Sequence, residues 1–212
     1  ILIGGTFERM NGEIVNSLAR LHPDGSPDTS FAHSLPPCRI NQLLVLPDDQ
    51  ILCGFEPIKV EGNNIKPTGG VLVRMKADGS HDSTGILVQL VPGGNFTGLA
   101  RAANGGVWVS SVRQSISGAQ LNPLYRLDAR GRLDPTFNAV FPRSLWLSVD
   151  GFFLQPDGRV ICSIIRSKAA DMPQSYGLVE LDATGKPGRL SLPDLADNKV
   201  SAVAIQPDGK LL

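Results

Sequence analysis

Four polar side chains recur at one offset in the chain. Asn41, Thr97, Asp150 and Ser201 each stand six residues before a turn, and each follows an apolar residue, Ile40, Phe96, Val149 or Val200. A carboxamide, two hydroxyls and a carboxylate can offer donors and acceptors to a sugar or a peptide. One carboxylate among four is a poor set for hydrolysis, which at such a ring would need several inward carboxylates or histidines around a metal. The competing reading is that small polar residues satisfy backbone and water at strand ends. That reading is the stronger one on residue type alone.

Other reactive types are scattered. Asp24-Gly25-Ser26-Pro27-Asp28 alternates oxygen side chains, as a calcium loop does, yet lacks further acids and a late bidentate carboxylate. Hairpin-turn chemistry accounts for it better, because an Asp side chain bonds the backbone two residues on. His22, His33 and His81 lie in or near turns without a nucleophile beside them, and no Gly-x-Ser-x-Gly elbow occurs. Arg20, Arg74 and Arg126 share one repeat position with Glu180. Either they line a groove for a partner or, the better-supported reading, they pair with acids on adjacent strands while their stems cover apolar surface. Trp108 and Trp146 are expected to pack between sheets.

Three cysteines rule out a fully paired disulfide framework, and no CxxC or Cys/His cluster suggests zinc. Cys53 and Cys162 hold the place where Ile3 and Val109 stand, which predicts buried strand positions and unpaired thiols. Cys38, after Pro36-Pro37, is expected in a loop.

These positions are positioned by a repeat of roughly 50 residues. A turn ends an apolar run in LVLPDDQIL (Leu44–Leu52), FLQPDGRVI (Phe153–Ile161) and AIQPDGKLL (Ala204–Leu212), with a worn copy, ARAANGGVW, at Ala100–Trp108. A second mark follows in each period: LARLHPDGSPD from Leu18, LVRMKADGSHD from Leu72, LYRLDARGRLD from Leu124 and LVELDATGKPG from Leu178. The repeats run approximately 1–50, 51–106, 107–159 and 160–210 within a single domain, 1–212. Each period holds two hairpin signals, hence four strands, A to D. The fold class is all-β, with β-propeller blades of four antiparallel strands in about four repeats, read as an arc of a longer propeller.

Strand A ends at the Pro-Asp-Gly turn, B follows it, C is the Leu-x-Arg-Leu run, and D follows the second turn. Blades then run from about Arg39 to Gly93, Gly94 to Pro142 and Arg143 to Leu195. Ile1–Pro37 supplies B, C and D of another blade, and Lys199–Gln206 a lone strand A. Strand A would be innermost, so Asn41, Thr97, Asp150 and Ser201 would ring one mouth of a central channel.

Ile1–Phe7 (ILIGGTF), Leu18–Phe31 (LARLHPDGSPDTSF) and Val203–Leu212 (VAIQPDGKLL) resemble the delta-60 repeat, a bacterial β-propeller repeat of unassigned function. Gly4-Gly5 departs to Gly54-Phe55, Ser110-Ser111 and Ser163-Ile164 in later copies, which is expected to weaken turns. The resemblance implies a secreted or cell-surface bacterial protein of several domains and supplies no catalytic residues.

Lys+Arg and Asp+Glu are both 20, so no field steers the chain toward nucleic acid or an anionic membrane, and no apolar run is long enough for membrane insertion. Three functions remain. The leading one is a non-enzymatic scaffold presenting loops to a protein or glycan partner, with no cofactor and no metal. The others are a lactonase-type enzyme at the channel mouth and a structural spacer.

Overall fold

The computed structural model describes residues 1–61, 64–112, 123–139, 141, 146–167, 175–188, 200, 203, 206 and 210. Every regular element among them is a strand. The chain divides into two compact units, Ile1–Ala100 with Arg113–Gln120, and Arg101–Val112 with Leu121–Leu212.

The first unit opens with β1 (Leu2–Gly4), a small hairpin of β2 (Arg9–Met10) and β3 (Glu13–Ile14), and β4 (Leu18–Arg20), which pairs antiparallel with β1. The next repeat is the complete one. It runs β5 (Cys38–Val45), β6 (Ile51–Glu61), β7 (Asn64–Pro67), β8 (Val71–Met75) and β9 (His81–Gln89). The sheet order is β5-β6-β8-β9, with β7 paired to the far end of β6. This is the expected A-B-C-D meander. β10 (Asn95–Arg101) carries the chain from the first unit to the second.

The second unit holds β11 (Val107–Val112) paired with β12 (Leu124–Leu127). It also holds β13 (Trp146–Leu154), β14 (Val160–Ser167) and β15 (Ser175–Leu181) in that sheet order. Both units use the same phase: Leu52 faces Arg74 across β6 and β8, and Ile161 faces Glu180 across β14 and β15.

The turns that follow strand A form where the sequence predicts them. Leu46 N–H donates to Gln50 O at 2.8 Å, and the same bond closes Ala102–Gly106, Gln155–Arg159 and Gln206–Lys210. Gly105 and Gly158 supply the positive φ that such turns require, at 81° and 86°, and Asp49 takes it at 60°. Pro207–Gly209 and most of Lys199–Gln206 lie outside the described residues.

The fourth strand departs from the expectation of four strands in the first and third copies. Only β9 is a full strand D among the described residues. Elsewhere the second hairpin closes as a single bridge, Leu21 with Pro27, Leu127 with Leu133 and Leu181 with Pro187, and in the last copy the residues after Gly188 lie outside the described ones. The reason is local. Pro27 and Pro187 have no N–H for a ladder. Asp28 and Asp134 then turn the chain, because their Oδ1 atoms accept the N–H of Ser30 and Thr136. The second copy reads Ser83-Thr84-Gly85-Ile86 at this place, and β9 continues.

The core explains the Val, Ile and Leu of each run. β8 is buried at every position, so the sheet is covered on both faces there. In the first unit Leu18, Cys38, Ile51, Cys53, Val71, Val73 and Met75 share one cluster. Burying one such side chain contributes about 1.5–3 kcal/mol. In the second, Val109, Val149, Val160, Ile161, Ile164 and Leu181 show no exposed surface. All three thiols are free and buried. Cys53 and Cys162 lie on β6 and β14 as expected, whereas Cys38 begins β5 rather than sitting in a loop. Burial pushes the Cys38 thiol up to about 11, and the thiols of Cys53 and Cys162 higher still.

The position of Gly4, Gly54, Ser110 and Ser163 lies on strand B, as the last residue of β1 and inside β6, β11 and β14. A Cβ on Gly4 would stand 2.6 Å from Ile40, and one on Gly54 would stand 3.3 Å from Phe96. Ser163 Oγ donates to Val200 O at 3.5 Å. Ile40, Phe96 and Val200 are one repeat position. Small residues here therefore let the strand A that follows approach closely, and the change from Gly to Ser weakens no turn.

Candidate functional site

The four sequence-predicted positions divide as follows. Asn41 lies on β5 and Thr97 on β10, both in the first unit; Asp150 lies on β13 in the second; Ser201 lies outside the described residues. Asn41 and Asp150 occupy matching β-bulges. Ile40 pairs with Phe55 and Gln42 with Gly54, which leaves Asn41 unmatched in the ladder. Val149 pairs with Ile164 and Gly151 with Ser163, which leaves Asp150 unmatched. An extra residue re-aims its side chain and sharpens the local twist, and bulges gather at functional edges and at sheet rims alike.

Asn41 Nδ2 donates to Asn95 Oδ1. Asn95 stands two residues before Thr97, hence on the same side of β10. The structure thus joins Asn41 to the strand that carries Thr97 and adds Asn95, which sequence reasoning missed. The signal available was the adjacent Asn95-Phe96-Thr97, with polar residues on both sides of the conserved apolar place in the repeat. A coupled pair of carboxamides keeps a donor and acceptor capacity beyond its mutual bond, which suits hydroxyl or peptide groups.

The same end of the first unit carries its longest connections. β5 starts at Cys38, opposite Pro57, and β6 continues beyond that point to pair with β7 from Ile58. The β6–β7 hairpin therefore extends past the start of β5, away from the Leu46–Gln50 turn. The β2–β3 hairpin rises from the corresponding gap between β1 and β4, and nearby Ser17 Oγ donates to Cys38 O at 2.7 Å. A cleft of about 300 Å³ lies below it, lined among others by Glu13, Ile14, Arg20, Asp28, Phe31 and His33. His33 Nε2 lies 3.0 Å from Val15 O, which pins the ring to the hairpin.

The Asp residues of the turns are engaged by their own backbone. Ser26 N–H and Oγ–H donate to Asp24 Oδ1 at 2.9 and 2.6 Å, and Ser80 does the same to Asp78. Thr184 repeats the arrangement on Asp182. These hydrogen bonds, led by the side-chain hydroxyl, hold the carboxyls of Asp24, Asp78 and Asp182 below the ordinary carboxylate value. No group of three His, Cys, Asp or Glu among the described residues has the spacing of a metal site.

The Arg position does form ion pairs, but within its own hairpin. Arg20 Nε donates to Asp28 Oδ2 at 2.8 Å, and Arg126 Nε to Asp134 Oδ2 at 2.7 Å. The guanidinium lies over an aromatic ring in both copies, 4.9 Å from the centroid of Phe31 and 5.5 Å from that of Phe137. The following residue then reaches the next repeat. Ala32 N–H donates to Asp78 O, and Asn138 N–H to Thr184 O, both at 3.1 Å. Arg20 Nη1 also donates to Ala77 O. This Arg–Asp–Phe clasp holds each loop onto the second turn of the repeat after it. Trp108 packs edge-on against Phe137, with ring centroids 4.6 Å apart, and also meets Phe152. The Trp146 side chain lies outside the described residues.

A family model described as a domain of unknown function (DUF5122) beta-propeller matches residues 1–31. That stretch spans β1 to β4, the second turn and Phe31 of the clasp. The fold is an all-β, β-propeller type of repeat array. No curated protein and no solved structure matches the chain. The match supports a β-propeller repeat of unknown function and goes no further toward an activity.

Proposed function

We propose that this chain is a non-enzymatic β-propeller scaffold that presents loops to a protein or glycan partner, within a secreted or cell-surface bacterial protein of several domains. The observation that carries the reading is the contrast between a fixed frame and unequal connections at one end of it. The turns after strand A and the strand registers repeat, while the B-to-C connection is a two-plus-two-residue hairpin at Arg9–Ile14 and a four-pair extension of β6 at Ile58–Pro67. Variable loops on a rigid scaffold are where binding residues concentrate. The Asn41–Asn95 pair sits on β5 and β10 at that same end.

The test is a glycan and protein array probed with the purified chain, in arms with calcium and with EDTA. A ligand whose binding falls at least tenfold in Asn41→Ala or in a variant with Glu61–Asn64 shortened supports the reading. Binding that survives both changes, or turnover of a lactone substrate that depends on Asp150, would replace it.

A further inference from the structure

β4 has an open edge, and the backbone bonds say which groups are left on it. Ile1 and Leu21 exchange both of their bonds, at 2.7 Å each, and Gly5 N–H donates to Ser17 O at 3.0 Å. The pairs Leu2–Arg20 and Gly4–Leu18 between them are therefore the non-bonded ones, so the N–H and C=O of Leu18 and Arg20 point away from β1. In the second repeat the matching edge of β8 is covered by β9, with Leu72 opposite Val88. In the first, residues 21–37 are all described and supply no such strand.

Two of the four outward groups are used. Asp28 N–H donates to Arg20 O at 2.8 Å, and Leu18 N–H donates to Val15 O at 3.2 Å. Leu18 O and Arg20 N–H have no partner among the described residues. The loop beyond is tied at both ends and drawn off in the middle. Asp28 holds one end to β4, and His33 Nε2 holds the other to Val15 O at 3.0 Å. Between them Ala32 N–H donates to Asp78 O in the next repeat. What remains is the cleft of about 300 Å³, lined by Leu18, Ala19 and Arg20 from β4 and by Thr29, Phe31 and His33 from the loop. That volume lies at the small end of ligand clefts.

The free pair has a direction. One residue of a segment running parallel to β4, set opposite Ala19, donates its N–H to Leu18 O and accepts from Arg20 N–H through its own C=O. An antiparallel segment would need both groups of Leu18 or both of Arg20, and in each residue one of the two is taken. Charge selects further. Arg20 and Asp28 line the cleft but neutralise each other, whereas Glu13 on its rim is exposed and has no ion pair among the described residues. We propose that this cleft is a docking site for a short extended peptide segment of a partner protein, running parallel to β4 and carrying a basic side chain toward Glu13. It is strand addition, in which the main chain gives affinity and the flanking side chains give choice. It is separate from the Asn41–Asn95 site and does not depend on it.

Two measurements on the whole chain decide it. In the free protein, amide exchange at Arg20 is expected to be about fivefold faster than at Ala19, whose N–H lies in a bonded pair with Ile3. Arg20 as well protected as Ala19 would mean that the edge is already closed, and overturns the inference. The probe for binding is a pool of acetylated, amidated pentapeptides with lysine at the centre and valine, isoleucine, threonine or tyrosine around it. The expected result is a saturable shift of the Arg20 amide, with exchange there slowed about fivefold by one added hydrogen bond. A pool with every peptide nitrogen methylated is expected to give no shift. Glutamate in place of lysine is expected to weaken binding about two- to fivefold, and Glu13→Lys to reverse that preference. Asn41→Ala is expected to leave all of this unchanged. The inference is overturned if Arg20 does not shift at the highest soluble peptide concentration, if the methylated pool acts equally, if the preference for lysine survives Glu13→Lys, or if the shift is lost in Asn41→Ala.

Discussion

The hairpins at Leu18–Asp28 and Leu178–Gly188 hold opposite charges at one repeat position, and both satisfy them. In the first, Arg20 meets Asp28 from the loop that follows. In the second, Glu180 is nearly fully buried and accepts from Gln155 Nε2 at 3.1 Å and from Arg159, which lie in and beside the turn that precedes β14. Gly188 stands where Asp28 does, and a Cβ there would lie 2.3 Å from Glu180 Oε2. The frame thus requires a paired charge rather than a particular sign. Its partner comes from the following loop or from the preceding turn, and only the first choice builds the Phe clasp.

The comparison is broken most severely at the positive-φ glycines of the two second turns, Gly185, whose Cβ would meet Asn138 O at 2.5 Å, and Gly25, whose Cβ would meet nothing within 4 Å. Gly185→Ala places a Cβ against backbone at positive φ, with an expected cost of about 3 kcal/mol in urea unfolding. Gly25→Ala meets only the conformational strain, about 1 kcal/mol. Equal costs at the two sites would mean that the covered turn gains nothing from its cover.

Next in size is the clasp ion pair. Asp134 and Arg126 are both largely buried, so Arg126→Met should cost about 2 kcal/mol, less than a fully buried pair because the Met stem still covers Phe137. Arg20, with about a third of its side chain exposed, should cost about 1 kcal/mol on the same change. Reversal of that order would show that the second copy is held by packing alone.

The smallest effect is on pH. Hydrogen bonds from Ser30, then from Arg20, lower the Asp28 carboxyl from 3.8 to about 2. A depressed carboxylate contributes stability that is present above 3.8 and is lost as pH falls from there toward 2. Arg20→Met with Ser30→Ala should flatten the acid limb of the unfolding midpoint across that window. The matching pair of changes at Arg159 and Gln155, the partners of Glu180, tests whether the acid limb belongs to the clasp.

Much of the fold is legible in the residues. The turns after strand A follow from Pro-Asp-Gly between apolar runs, and Cys53 and Cys162 follow from their equivalence with Ile3 and Val109. The limits are physical. Arg20 was legible as an ion-pair former, but its partner is eight residues along the same hairpin, because the Asp28 turn folds the loop back rather than extending a strand. Gly4 resembles a turn residue, yet its missing Cβ serves Ile40 from the next strand, a contact that no local pattern encodes. The bulges at Asn41 and Asp150 depend on a one-residue mismatch between strands and leave no composition signal. Of the proposed ring, the Asn41 end gained a partner, Asn95, that only pairing between strands could reveal.

Hydrogen exchange at Ala32 and Asn138 tests the clasp most directly. Both residues are exposed and lie in loops outside any strand, so an unclasped loop would lose these amide protons at the rate of free chain. The account expects both to be protected to a degree approaching their strand neighbours, and to lose that protection in Phe31→Ala and Phe137→Ala respectively. Exchange at free-chain rates in the unmodified protein would contradict it.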